Sequence, residues 1–160
     1  MESGGVPWPG RVRFAGRGVL SRYLVYLLQP ISPRIARLEV RSQLSDANAA
    51  LIAVSPEAAP ASADGASAEG SRFPVLIDHG SKVAEQFGLT FEMDDAAKNV
   101  LKSSGLDLEK RNADGRWILP VPGTFVIDRS GHIAYAHVDA DYRNRPEPQE
   151  IVATCRSLRR

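Results

Sequence analysis

Pro120-Val121-Pro122-Gly123-Thr124-Phe125-Val126-Ile127-Asp128 runs into Arg129-Ser130-Gly131-His132 and then Ile133-Ala134-Tyr135-Ala136-His137-Val138. Thr124 to Asp128, rich in β-branched and aromatic residues, reads as a strand. Arg129-Ser130-Gly131 is a tight connection, because a glycine ending a three-residue loop takes the left-handed conformation without penalty. Ile133 to Val138 is then the return strand of a hairpin. Beyond it, Glu147 to Leu158 predicts a helix with Pro148 in the first turn, where a missing N–H is harmless. Ile151, Cys155 and Leu158 form one apolar stripe on that helix.

Upstream, Leu51-Ile52-Ala53-Val54-Ser55-Pro56 is a short apolar run closed by proline and reads as a buried strand. Phe73-Pro74-Val75-Leu76-Ile77 reads as another, with Pro74 near its start. Between them, Ala58 to Gly70 is rich in Ala, Ser and Gly and fits either a flexible linker or a weak surface helix. After the turn Asp78-His79-Gly80, Ser81 is the expected cap of a short helix carrying Val83 and Phe87 on one face and ending at Gly88. A second helix is expected from Asp94-Asp95 through Val100 and Leu101 to Gly105. Arg34 to Leu44 predicts a helix with Ile35, Leu38 and Leu44 inward, and residues 1–16 are irregular. The order is that of an α/β chain ending in an antiparallel pair.

Composition narrows the function. The formal charge of +1 over 160 residues argues against a general nucleic-acid binder. No run approaches the roughly 18 apolar residues of a membrane span. One cysteine, Cys155, excludes an intrachain disulfide, a CxxC motif and a cysteine-based zinc site. His79, His132 and His137 lack metal-ligand spacing, although the latter two are possible strand neighbours, so neither metal nor cofactor is expected. The charge is uneven: residues 1–44 hold seven Arg, no Lys and only Glu2 and Glu39, giving +5, and the remainder gives −4.

Four phrases carry a resemblance: Leu-Ile-Ala-Val-Ser-Pro-Glu at 51–57, Phe-Pro-Val-Leu-Ile-Asp at 73–78, Lys-Val-Ala-Glu-Gln-Phe-Gly-Leu at 82–89, and Pro-Val-Pro-Gly-Thr-Phe-Val-Ile-Asp at 120–128 with Gly-His-Ile-Ala-Tyr-Ala at 131–136. In this order and spacing, 51–158 resembles the alkyl hydroperoxide reductase/thiol-specific antioxidant group of peroxiredoxin-like proteins. The resemblance implies a thioredoxin-like fold, a central mixed sheet with a C-terminal β-hairpin and helix. It implies reduction of a hydroperoxide by a cysteine thiolate at a helix N-terminus, with a thioredoxin-type reductant as partner. It makes Pro122-Gly123-Thr124 the loop that faces the active site, and Pro122 the candidate for the cis-proline common there. Many peroxiredoxins have an arginine at this position, so Pro122 places the chain nearer the thioredoxin-like branch. A plain strand entry shaped by Pro120 and Pro122 is the alternative reading.

The resemblance places the nucleophile after a first core strand, some twenty to thirty residues before Leu51, and Val25-Tyr26-Leu27-Leu28-Gln29 holds no thiol. Codons compatible with residues 19–30, read one nucleotide later, can spell F-Y-R-G-T-W-C-T-Y-C-N, which looks like the missing motif. The expectation is that residues from about 17 to somewhere between 37 and 50 are out-of-frame translation. An organelle transit peptide and a divergent N-terminus are the alternatives; Arg22 interrupts the apolar stretch and argues against a secretory signal. The chain thus divides into an aberrant or divergent segment, 1–50, and a thioredoxin-like domain, 51–158.

On this reading the chain has lost its nucleophile and first central strand, with Leu20, Leu24, Val25, Leu27 and Leu28 refilling only part of the space. Marginal stability and no cysteine-based peroxidase activity follow. Cys155 reads as a small core residue, and 139–145 as a solvated charged loop. A non-enzymatic thioredoxin-fold binding module is the alternative function, and the cytoplasm is the default setting. Nucleotide sequencing of the gene across codons 15–52 tests the frame: W-C-x-Y-C one nucleotide on is expected, and codons unable to spell it reject the idea.

Overall fold

The computed structural model describes residues 22–27, 38–56, 75–105, 107–112 and 114–158. Ala58 to Gly70, Phe73, Pro74, Ile35 and the segment 28–37 lie outside these residues. The main sheet contains β1 (Arg22–Leu27), β2 (Ala49–Ser55), β3 (Val75–Ile77), β6 (Gly123–Ile127) and β7 (Ile133–Val138), in the order β3-β2-β1-β6-β7. β1 runs parallel to β2, with Leu24 opposite Leu51, and antiparallel to β6, with Val25 opposite Phe125. β2 and β3 are parallel, and β6 and β7 form the expected hairpin.

The central place in this sheet is filled by Arg22–Leu27 rather than left vacant, contrary to the expectation of a lost strand. Ladder hydrogen bonds come from the main chain, and Tyr-Leu-Val-Tyr-Leu has the residue types that extended backbone favours. All five residues of β6 are buried, as expected of a strand covered on both faces. One face is closed by α1 (Leu38–Asp46) and α5 (Pro148–Ser157). There Val40 and Leu44, four apart on α1, pack with Leu51, Val126, Ile151 and Cys155. The helix therefore runs two residues past Leu44. Cys155 is fully buried in this cluster, as a small core residue should be.

The other face holds α2 (Lys82–Gln86), whose Ala84 and the following Phe87 pack with Val54, Phe125 and Ile127. The Phe87 and Phe125 rings lie 4.8 Å apart, tilted by 59°. Gly88 ends the α2 turn with a positive φ, and Gly131 does the same in the hairpin. An excursion follows Leu89: β4 (Thr90–Glu92), α3 (Asp95–Ser103), α4 (Leu108–Arg111) and β5 (Ile118–Pro120), of which only α3 was expected from the sequence. Its strands pair only with each other, Phe91 opposite Leu119. Three-residue strands carry too little alternation to be read from sequence. The expected helix after Asp94 is α3, capped by Asp94 through a 2.8 Å bond from the Ala97 N–H.

Phe125 links the two halves of this second core. Phe125→Ala is expected to lose about 3–5 kcal/mol, measured by urea unfolding.

Candidate functional site

At the end of the sheet where β1, β2 and β3 finish, several polar side chains lie inside the protein. Ser55, Asp78, Ser81 and Thr124 are each at least 95% buried. Leu27, the last residue of β1, lies opposite Gly123, and Tyr26 lies opposite Thr124. The backbone thus brings Gly123 and Thr124 beside the point where the chain leaves its central strand. The residues that leave it, 28–37, contain no cysteine.

Pro122 precedes this pair in a loop held at both sides. The Val121 N–H donates to the Leu89 carbonyl at 2.6 Å, and the Asp139 N–H donates to the Pro122 carbonyl at 3.2 Å. The Val121–Pro122 peptide is trans, as are all those of the described residues. The expectation of a cis-proline at Pro122 is therefore corrected. Gly123 is required sterically: a Cβ there would stand 2.7 Å from the Phe125 ring and 3.0 Å from Leu89 Cδ1.

Ser81 does not cap α2, as the sequence led us to expect. It has a φ of +53° and makes no side-chain cap bond. Asp78, buried, takes that role: its carboxylate accepts from the Val83 N–H at 2.9 Å and the Ala84 N–H at 3.0 Å. A carboxylate accepts two donors where a hydroxyl would satisfy one, and it complements the positive end of the turn. The Asp78 N–H in turn donates to the Ser55 carbonyl at 2.7 Å, tying the ends of β2 and β3. Asp78 is the candidate site residue missed from the sequence; an aspartate five and six residues before the N–H groups that donate to it is not a standard cap spacing.

The histidines are not brought together. His132 Nδ1 is 2.7 Å from Ser130 Oγ in the hairpin turn, while His137 Nε2 is 3.3 Å from the Asn144 carbonyl. Asp128 accepts from the Ser130 and His132 N–H groups, and these bonds with the Ser130 hydroxyl hold its carboxyl below the usual carboxylate range against the opposing effect of burial. Among the described residues no group of three His, Cys, Asp or Glu is placed to hold a metal ion. The loop 139–145 closes on itself: Arg143 donates to Asp141 from Nε at 2.9 Å and Nη2 at 2.8 Å, holding the Asp141 carboxyl at about 2. That is a solvated connection stiffened by a fork-shaped ion pair.

Comparison with known proteins places this geometry. A sequence model of the AhpC/TSA family matches residues 35–136. Peroxidoxin BcpB from Mycobacterium tuberculosis is similar in structure, with a TM-score of 0.62 at 16% identity, over 88% of this chain and 81% of that one. The bacterioferritin comigratory protein of Xanthomonas campestris, whose structures concern alkyl peroxide reduction, gives 0.59 at 12% identity, over 86% and 79%. Peroxiredoxin 6 of Arenicola marina gives 0.60 at 15%, over 86% of this chain and 61% of that one. No curated protein sequence matches the chain. At such identities the likeness concerns the fold: an α/β, thioredoxin-like mixed sheet with a C-terminal hairpin and helix.

Gly123→Ala is expected to fold with a loss of about 1–3 kcal/mol from overpacking, read as a lower thermal midpoint; unchanged stability would show that Phe125 and Leu89 give way freely.

Proposed function

The chain belongs to the AhpC/TSA family, and on that footing we propose that it is a peroxiredoxin-type antioxidant protein whose thiol-bearing segment is missing from the sequence as it stands. The family's chemistry needs a cysteine thiolate that attacks the O–O bond of a hydroperoxide. The sulfur becomes a sulfenic acid, the alcohol leaves, and a second thiol condenses with the sulfenic acid to a disulfide, releasing water. A thioredoxin-type reductant then restores the thiol.

The observation that carries this reading is the register of β1 against β6. Gly123 and Thr124 lie beside the C-terminal end of β1, where a nucleophile following the first core strand would emerge. Pro122, Gly123 and Thr124 are proposed as the loop facing it. The residues after β1 supply no thiol, and Cys155 sits in the core beneath α5, on the cluster with Leu44 and Val126. The out-of-frame reading of 17–50 accounts for the absence of the thiol, and for the Arg-rich, Lys-free composition there. The division at residue 50 then concerns the origin of the segment, since the sheet itself takes up Arg22–Leu27.

A second reading, a non-enzymatic binding module, draws support from the same strand. With the central position occupied, the sheet is continuous from β3 to β7 without the cysteine motif. No helix among the described residues is long and apolar enough to cross a membrane. The cytoplasm is the proposed setting, with hydroperoxide and a thioredoxin-type protein as partners and no nucleic acid.

Peroxide consumption by the purified 160-residue chain is expected at background, unchanged in Cys155→Ser. A chain restored to W-C-x-Y-C is expected to consume peroxide in a thioredoxin-dependent manner. Robust turnover by the chain as it stands, lost in Cys155→Ser, would overturn the proposal. An inert restored chain would favour the binding module.

A further inference from the structure

The excursion from Thr90 to Pro120 is built as a separate body. None of the residues in the two core clusters of the main sheet comes from it. Within it Leu108, Asn112 and Trp117 are buried. The excursion is tied internally. Trp117 Nε1 donates to Glu109 at 2.7 Å, and Lys102 reaches the same carboxylate at 3.4 Å while lying 5.0 Å from the Trp117 ring centroid. These contacts hold the Glu109 carboxyl below its usual range, the Trp117 bond foremost. Asn112 Nδ2 donates to the Arg116 and Ile118 carbonyls at 2.8 and 3.0 Å, closing the loop that leads into β5.

The body joins the rest of the chain at a narrow neck. On one side are Gly88, with φ of +64°, and the buried Leu89; on the other are Pro120, Val121 and Pro122. The Val121-to-Leu89 hydrogen bond closes the neck. Beyond it, Arg116 ties the excursion to the remainder of the chain. Its Nη2 donates to the Gly80 carbonyl in the turn after β3, and its Nη1 lies 3.6 Å from Glu85 on α2. Asp114, within the same loop, accepts from Arg116 Nε and aims the guanidinium. The packing agrees, since a Cβ on Gly80 would find Arg116 Nη2 at 3.5 Å and Asp114 Oδ2 at 3.8 Å.

A distinct excursion, a glycine- and proline-bounded neck and a charged tether make a locally opening flap. We propose that the excursion between Thr90 and Pro120 comes away from the rest of the chain and unfolds locally as one cooperative unit beyond the Leu89–Val121 neck, and that Arg116 is the latch holding it against the Gly80 turn and α2. The guanidinium suits the task because its planar fork serves a carboxylate on each side and a carbonyl at once, which an ammonium cannot do with the same geometry. The neck leads straight into Pro122-Gly123, so flap position is delivered to the loop beside the end of β1. The latch is independent of the peroxidase reading, because it depends on no thiol.

Native-state hydrogen exchange on the whole chain tests it. In Arg116→Ala the amides of Met93, Ser104 and Asn112, all hydrogen-bonded within the flap, are expected to exchange roughly three- to tenfold faster, the range for losing one exposed charge-assisted bond. The amides of Val126 and Ile151 in the main core should keep their rates, and the global unfolding midpoint should hold. Arg116→Lys is expected to fall between the two. Unchanged flap exchange in Arg116→Ala would overturn the latch. A uniform acceleration across flap and core would overturn the separate opening, leaving Arg116 as an ordinary stabilising residue.

Discussion

A strand with no solvent face governs this molecule. β6 is buried along its whole length, and both neighbours on its two edges are set by its register: β1 on one side, β7 on the other. Val126 turns toward the cluster under α1 and α5, while Phe125 and Ile127 turn toward α2. Because side chains alternate along a strand, a slip of one residue would exchange these two sets and empty both cores. The hairpin turn at Arg129–Gly131 and the crowded Gly123 pin the two ends against that slip.

That constraint explains how a chain with its only cysteine at 155 still completes the thioredoxin-like sheet. The place of β1 is defined by β2 and β6, whose main-chain groups call for a partner whatever its side chains are. Tyr-Leu-Val-Tyr-Leu is suited to such a place, so the ladder is complete although this segment carries no cysteine. What surrounds that segment is well prepared: Asp78 spends its carboxylate on two backbone donors of α2, and Thr124 lies inside the protein next to the end of the central strand.

Much of this was legible in the residues. The hairpin, its glycine, the terminal helix with Pro148 at its start and the burial of Cys155 follow from local periodicity and turn chemistry, and they stand as expected. The Asp94-capped helix does too. Less legible were the features whose partners lie far apart in the chain. The choice of Asp78 over Ser81 as cap depends on the turn His79–Ser81 folding back. The trans geometry at Pro122 goes with bonds to Leu89 and Asp139. Arg116 reaches a carbonyl thirty-six positions away.

By itself, then, the sequence determined the family, the α/β order, the hairpin and the apolar stripe that carries the lone cysteine. The family rests on the phrases that resemble it, and the rest on composition and on contacts a few residues apart. Only the tertiary structure decided that Arg22–Leu27 enters the sheet's centre and that 90–120 stands apart on a neck. Strand order and the attachment of an excursion are settled by long-range pairing, in which each backbone group takes whichever partner burial brings within reach.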